Sequence, residues 1–272
     1  MLITPLPQGF GAEVSDFDLH SGRESEDIAW LQQAYNNHNL LIFRGVGQIT
    51  PERQLEITGW FGPVIVEGAN AWTVLDNADP AGRFVLPFHS DITFVEFPLA
   101  GISLYPQELP ASNTSTTYIS NALAWQALPE ALQRELQGLK ARHYFVSSDD
   151  IDLGYPVFEY WHPVCMPHPK TGRPLLFVTE HHVDRIEGMA EERCAEVLKA
   201  LFATLYSRER RYEHVWREGD LVIWDNLAIQ HARTRVAELS QGRRVMRRVQ
   251  LGKVGFIEQV ERLRQHQAAL VH

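Results

Sequence analysis

Apolar positions along the chain fall into two periods. Ile28, Leu31 and Tyr35 stand three and four apart and predict a helix over residues 26–36. "NLLIFRG" (39–45) is a short, nearly unbroken apolar run, the mark of a buried strand. Thr50 followed by Pro51 opens a second helix: the hydroxyl can cap a free N–H, and proline lacks only a donor that the first turn leaves unused. Residues 121–139 read as two short helices broken near Pro129. The longest stripe is Cys194, Val197, Leu198, Leu201, Phe202 and Leu205, one face of a helix. The period then changes. "GDLVIWDN" (219–226) and "RRVMRRVQLG" (243–252) read as strands, and the C-terminal end closes with a helix on Phe256, Val260 and Leu263. Residues 10–19 add an early strand and turn. Strands at both ends with helices between them predict a mainly β (α+β) sandwich or jelly roll with flanking helices, since a βαβ chain would alternate regularly. No linker, internal repeat or low-complexity stretch interrupts residues 1–272, so a single domain is expected.

Composition narrows the function classes. At 44% hydrophobic and 22% charged residues the chain reads as a soluble globular protein. A net charge of −9 speaks against a nucleic-acid partner held by general electrostatics, because neutralising phosphates needs a basic face. No apolar run approaches the ~20 residues that span a bilayer, so no membrane partner is expected. Cys165 and Cys194 form no zinc pattern and are expected as reduced thiols. The first residues lack the charged and apolar regions of a secretory signal, and a cytoplasmic location is expected.

Two stretches carry His-x-Asp: "FHSDITF" (88–94) and "EHHVDRI" (180–186). On a strand, residues two apart point to one face, so either pair offers two metal ligands. With a distant histidine, such a pair completes a facial triad with open positions, the arrangement of non-haem Fe(II) oxygenases. In a chain with 12 histidines the bare pattern is weak. Context favours His89 and Asp91, between two predicted strands. His182 and Asp184 run straight into the long helix. A third ligand is offered by His231, just after an apolar strand. Arg244 follows thirteen residues later, and Arg244 and Arg248 are placed on one face of an alternating strand, roughly 13 Å apart. One can grip a carboxylate bidentately while the other meets a second anion. The bland alternative is a solvated basic edge strand.

These segments resemble the Fe(II)- and 2-oxoglutarate-dependent dioxygenases of the taurine dioxygenase (TauD/TfdA) group. "HSDITFVEFPLAGISLYPQELP" resembles the family's H-[ST]-D-x-[ST]-F-x-x-x-P segment. "HPVCMPHPKTGRPLLFV" resembles its hairpin with two His-Pro pairs, and "GDLVIWDNLAIQH" with "RRVMRR" resembles its distal histidine and arginine strand. The resemblance implies a double-stranded β-helix (jelly-roll, cupin-like) core with a helical insertion within roughly 115–210. It implies Fe(II), 2-oxoglutarate as cosubstrate and O2, and oxidation, by default hydroxylation, of a substrate C–H bond with release of succinate and CO2. His89, Asp91 and His231 would bind Fe(II). Arg244, helped by the Thr116 hydroxyl, would hold the far carboxylate of 2-oxoglutarate. Arg248 would grip an acidic group of the substrate, and Trp224 and Phe145 would line the pocket, with His182 near it. A homodimer or homotetramer is also implied.

Departures from the family bear on the substrate. "NTS" (113–115) replaces the usual Gly-Gly-Asp before the threonine. Val85 stands where taurine enzymes have an asparagine, and Glu67 stands near where they have a histidine. The stretch from Gly62 to His89 is shorter than usual. These differences speak against taurine and lend no support to phenoxyacetates. A small anionic or amino-acid-like substrate is expected, with Glu67 or Asn70 in reach of an amine. His162 and His168 are expected to serve the turn at Lys170–Gly172. Two other readings stand beside this one: a cupin-like metal enzyme without 2-oxoglutarate, and a non-enzymatic jelly-roll binding module.

Overall fold

Leu40 and Ile42 pack on one side of their strand and Leu41 and Phe43 on the other, all four buried. A strand covered on both faces explains the unbroken apolar run. It belongs to a computed structural model that describes residues 1–19, 25–68, 70–79, 85–111, 114–145, 158–233 and 241–270. In chain order the elements are β1 (Leu2–Pro5), β2 (Ala12–Ser15), α1 (Ser25–His38), β3 (Leu40–Phe43), α2 (Pro51–Gly59), β4 (Thr73–Asp76), β5 (Leu86–His89), β6 (Gly101–Glu108) and β7 (Ser115–Ser120). There follow α3 (Asn121–Ala127), α4 (Glu130–Leu136), β8 (Lys140–Phe145), β9 (Phe158–Pro163), β10 (Cys165–Pro167), β11 (Pro174–Leu176), β12 (Val183–Ile186) and α5 (Glu191–Leu205). The chain ends with β13 (Tyr212–Val215), β14 (Leu221–Asp225), β15 (Ile229–Arg233), β16 (Val245–Leu251) and α6 (Phe256–Leu270).

A seven-stranded sheet runs β1-β2-β3-β14-β6-β16-β4, and a four-stranded sheet runs β13-β7-β15-β5. Apolar side chains of both sheets, among them Ile102, Tyr118, Val222, Trp224, Ile229 and Met246, form one core cluster. The opposite face of the large sheet buries Leu41, Phe43, Leu221 and Ile223 against Leu31 and Tyr35 of α1 and Ile57 of α2. A further cluster joins α3 and α5, with the expected stripe Cys194, Val197, Leu198, Leu201 and Leu205 buried, to β8, β11 and β12. The architecture is the expected jelly roll with flanking helices, and residues 115–210 contribute strands β7–β12 as well as α3–α5. No described helix is long and apolar enough to cross a membrane.

Three local features position the site. The Thr50 hydroxyl accepts from Arg53 N–H at 3.2 Å and starts α2 as predicted. The strand β16 is not a solvated edge: it lies between β6 and β4. Its Arg247 is buried and donates to Gln54 Oε1 at 2.6 Å and Ile49 O at 2.8 Å, fastening α2 to the sheet. Gly101, where β6 passes β14 and β16, admits no side chain. A Cβ there would stand 2.7 Å from Tyr35 Oη and 3.1 Å from Trp224 O.

Candidate active site

Register brings the two histidines together. His89 ends β5, and His231 lies opposite it on β15. Their rings are 4.4 Å apart between centroids. Asp91 lies two residues beyond the end of β5, in a turn, so it reaches the histidines by chain reversal and not by strand alternation. Asp91 Oδ1 stands 3.2 Å from His89 Nε2 and 3.7 Å from His231 Nε2. One ligand atom from each of the three residues lies within 4.8 Å of the others. The His89 Nδ1 meets Pro87 O at 2.7 Å, which holds the ring with Nε2 toward Asp91.

Electrostatics keep Asp91 and His231 in ligand form. Burial alone would raise the Asp91 carboxyl, but its neighbours, His89 first and then His231 and Arg248, outweigh it and hold it well below the usual carboxylate range. Burial, with His89 alongside, pushes His231 down to about 3, so its imidazole is neutral near pH 7. Two imidazoles and one carboxylate form a donor set suited to Fe(II) with open positions.

A pocket of about 170 Å³ opens beside the triad, with Ile102, Leu104 and Trp224 among its apolar walls and Arg233 and Arg248 among its polar ones. The Trp224 ring lies 4.9 Å from that of His231. Arg248 donates to Asp91 Oδ2 at 3.2 Å and to Thr73 Oγ1 on β4 at 3.1 Å. Arg244, just before β16, is buried and stands near Arg233, which lines the pocket. Burial, together with the nearby charge of Arg233, lowers it to about 10. It has no carboxylate partner among the described residues.

The structure corrects four placements. Arg244 Nε donates to the hydroxyl of Thr114, at 3.0 Å, and not to that of Thr116. Thr116 lies further along, on β7, where its Oγ1 accepts from Trp216 Nε1 at 2.9 Å. Thr114 and Thr116 stand on alternate positions, and the family resemblance points to the second. Glu67 does not face the pocket: it accepts from Ile257 N–H at 2.6 Å and secures the first turn of α6. Phe145 and His182 are not in the pocket wall around the triad either. They pack with Phe94, His182 at 5.2 Å and Phe145 at 4.9 Å between ring centroids. The neighbouring His181, exposed and 6.0 Å from the ring of His89, comes closer to the triad.

The second His-x-Asp pair is no ligand pair. A register shift between Val183 and Arg185 breaks the alternation of β12, leaving His182 buried and Asp184 paired with Arg142 on the surface. His168 serves its turn as expected, Nδ1 accepting from Thr171 N–H at 3.1 Å and Nε2 meeting Asp225 Oδ2 at 2.8 Å. Arg233 was missed in the sequence. Its signal is the spacing "HAR", two residues past His231 on the same strand.

Histidines behind the site set an acid limit on stability. Burial lowers His143 well below its ordinary value, lowers His162, and takes His182 to about 3. The unfolded chain takes up these protons near pH 6.5 and the folded chain does not, so their contribution is complete above about pH 6.5 and is lost as pH falls. Chemical denaturation of the metal-free protein is expected to show stability declining below that point, each buried histidine adding up to about 1.4 kcal/mol per pH unit. Stability flat from pH 7 to 4.5 would contradict the neutral assignments.

Known proteins resemble this chain in sequence and in fold. Residues 2–250 fit the family described as "Taurine catabolism dioxygenase TauD, TfdA family". An alpha-ketoglutarate-dependent sulfate ester dioxygenase of Pseudomonas putida is 31% identical, covering 92% of this chain and 88% of its own. An alpha-ketoglutarate-dependent 2,4-dichlorophenoxyacetate dioxygenase of Cupriavidus pinatubonensis is 29% identical over 91% of this chain and 96% of its own. In fold, a taurine dioxygenase of Burkholderia xenovorans superposes with a TM-score of 0.80 at 24% identity, covering 94% of this chain and 93% of that one. The matched span takes in His89, Asp91, His231, Arg244 and Arg248 together, and the chain belongs to the TauD/TfdA family.

Proposed function

We propose that this enzyme, a 2-oxoglutarate-dependent non-haem iron dioxygenase, oxidises a C–H bond of a small organic anion, and that His89, Asp91 and His231 hold its Fe(II). When bound, the metal supplies chelation of 2-oxoglutarate and activation of O2, with succinate and CO2 as coproducts. The observation that carries the cosubstrate assignment is Arg244: a buried guanidinium without a carboxylate partner among the described residues, close to Arg233, which lines the pocket that ends on the triad. A buried charge is costly unless paired, so the site calls for an anionic ligand. Arg244 meets the far carboxylate of 2-oxoglutarate. Thr114, fixed at its Nε, sets the plane of its fork.

Arg248 sits at the pocket with a quarter of its side chain exposed, and it anchors the substrate anion while steadying Asp91 Oδ2. Ile102, Leu104 and Trp224 keep water from the reacting carbon. The substrate class follows from this anchor and from the relatives that act on sulfate esters and 2,4-dichlorophenoxyacetate: an alkyl sulfate or an aryloxy carboxylate, hydroxylated at the carbon bearing oxygen. A cytoplasmic homodimer or homotetramer completes the reading. The test is a panel of alkyl sulfates, aryloxy carboxylates, sulfonates and amino acids under Fe(II), 2-oxoglutarate and O2, following succinate. Succinate formation stimulated by sulfates or aryloxy acids supports the class. Stimulation by neutral or cationic compounds alone refutes it.

A further inference from the structure

We propose that Asn226 is a positioning residue for the metal site, holding Asp91 in ligand geometry through its backbone; this rests on the reading of the triad as a metal centre. His89 and His231 are set by direct strand pairing, but Asp91 lies off the ladder and needs another support. Asn226, fully buried in the turn between β14 and β15, provides one. Its Oδ1 accepts from Asp91 N–H at 2.8 Å, and its Nδ2 donates to Asp91 O at 3.1 Å and Leu99 O at 3.0 Å. Both peptide groups of one ligand are thus gripped by one amide.

The support is itself anchored. Asn226 N–H donates to Ala100 O at 3.2 Å. Asp225 Oδ1 accepts from Leu227 N–H and Ala228 N–H, each at 3.0 Å. Asn121 Nδ2 donates to Leu227 O at 2.7 Å. His231 follows Asn226 by five residues, so the same turn that carries one ligand grips another.

A second observation shows that the grip works against a preference of the chain. Ile92, directly after Asp91, has φ of +48°. A β-branched residue in the left-handed region is a genuine outlier and persists only where its surroundings over-determine it. Asn226 supplies part of that constraint. Without it, residues 91 and 92 relax and the carboxylate leaves the histidines. Nothing in this touches the reacting atoms. Asn226 acts through Asp91, as outer-shell partners of metal ligands do.

The test is calorimetric titration of the full chain with Mn(II) in the absence of 2-oxoglutarate, with thermal melting of the same samples. Asn226→Ala is expected to weaken Mn(II) affinity about 10–100-fold. Asn121→Ala, which loosens the same turn without touching Asp91, is expected to lower the melting temperature and leave Mn(II) affinity as in the wild type. Ile92→Gly added to Asn226→Ala is expected to restore part of the affinity, because glycine adopts the left-handed conformation freely. If Asn226→Ala does not fold, Asn226→Asp carries the test: it keeps the acceptor for Asp91 N–H, loses both donors, and is expected to weaken Mn(II). Wild-type affinity in the folded Asn226 variant, or an equal loss in Asn121→Ala, overturns the proposal. A wild-type chain that binds no Mn(II) overturns the metal reading itself, and this inference with it.

Discussion

Asp91→Ala is expected to abolish stoichiometric metal binding and to cut succinate formation by more than about 100-fold, beyond the ~10–100-fold typical of changes in outer-shell partners. The reason is the small donor set. With two imidazoles and one carboxylate, loss of the carboxylate removes both a ligand and the only negative charge within 4 Å of the histidine Nε2 atoms among the described residues. The same change leaves Arg248 without its 3.2 Å partner, but that side chain is partly exposed and can turn to water. The fold is therefore expected to survive, which circular dichroism and thermal melting would check. Asp184→Asn is the matched control. It alters the other His-x-Asp pair, whose carboxylate is tied to Arg142 at the surface, and is expected to leave Mn(II) stoichiometry and succinate formation unchanged. If the two variants lost metal alike, the site would have been placed wrongly.

The contrast between those pairs shows what the chain discloses and what it hides. Strands and helices with strong periods were legible: the α5 stripe, the Thr50–Pro51 start of α2 and the buried strand at residues 40–43 all lie where hydrophobic spacing put them. His89, Asp91 and His231 were legible as a set because three separated motifs occurred in order. Their geometry was not. Alternation predicted Asp91 from strand pleating, whereas a turn places it. Thr114 was hidden because it and Thr116 differ only in register, and no local pattern tells which hydroxyl meets Arg244 across 130 residues. Glu67 was misread for a related reason. A polar residue at a family's substrate position looks functional until the N-terminus of α6, 190 residues away, is seen to use it. Short-period signals travel along the chain, and contacts between distant loops do not appear in them.

Arg244→Ala is expected to raise KM for 2-oxoglutarate by roughly 30-fold or more, corresponding to the ~2–5 kcal/mol lost when one partner of a buried, hydrogen-bonded charge pair is truncated. Much of that loss is the cost of leaving the cosubstrate carboxylate without its charged partner in a buried place. Arg244→Lys is expected to recover only part, since an ammonium carries the charge without the planar fork that Thr114 orients. Arg248→Ala should behave differently. Its expected effect is on KM for the organic anion, with KM for 2-oxoglutarate nearly unchanged, because Arg248 lines the pocket beside Asp91 while Arg244 is buried against Thr114. Steady-state kinetics with each substrate varied in turn separates the two. A rise in KM for the organic substrate alone in Arg244→Ala would exchange the two assignments.

The central claim is that a His89–Asp91–His231 centre couples oxidation of an organic anion to consumption of 2-oxoglutarate. The most direct measurement is the amount of succinate formed per substrate oxidised, in wild type and Asp91→Ala, with Fe(II), O2 and an alkyl sulfate or aryloxy carboxylate present. The expected result is one succinate for each oxidised substrate in the wild type and neither product in the variant. Substrate oxidised without succinate, or succinate formed equally by Asp91→Ala, would contradict it.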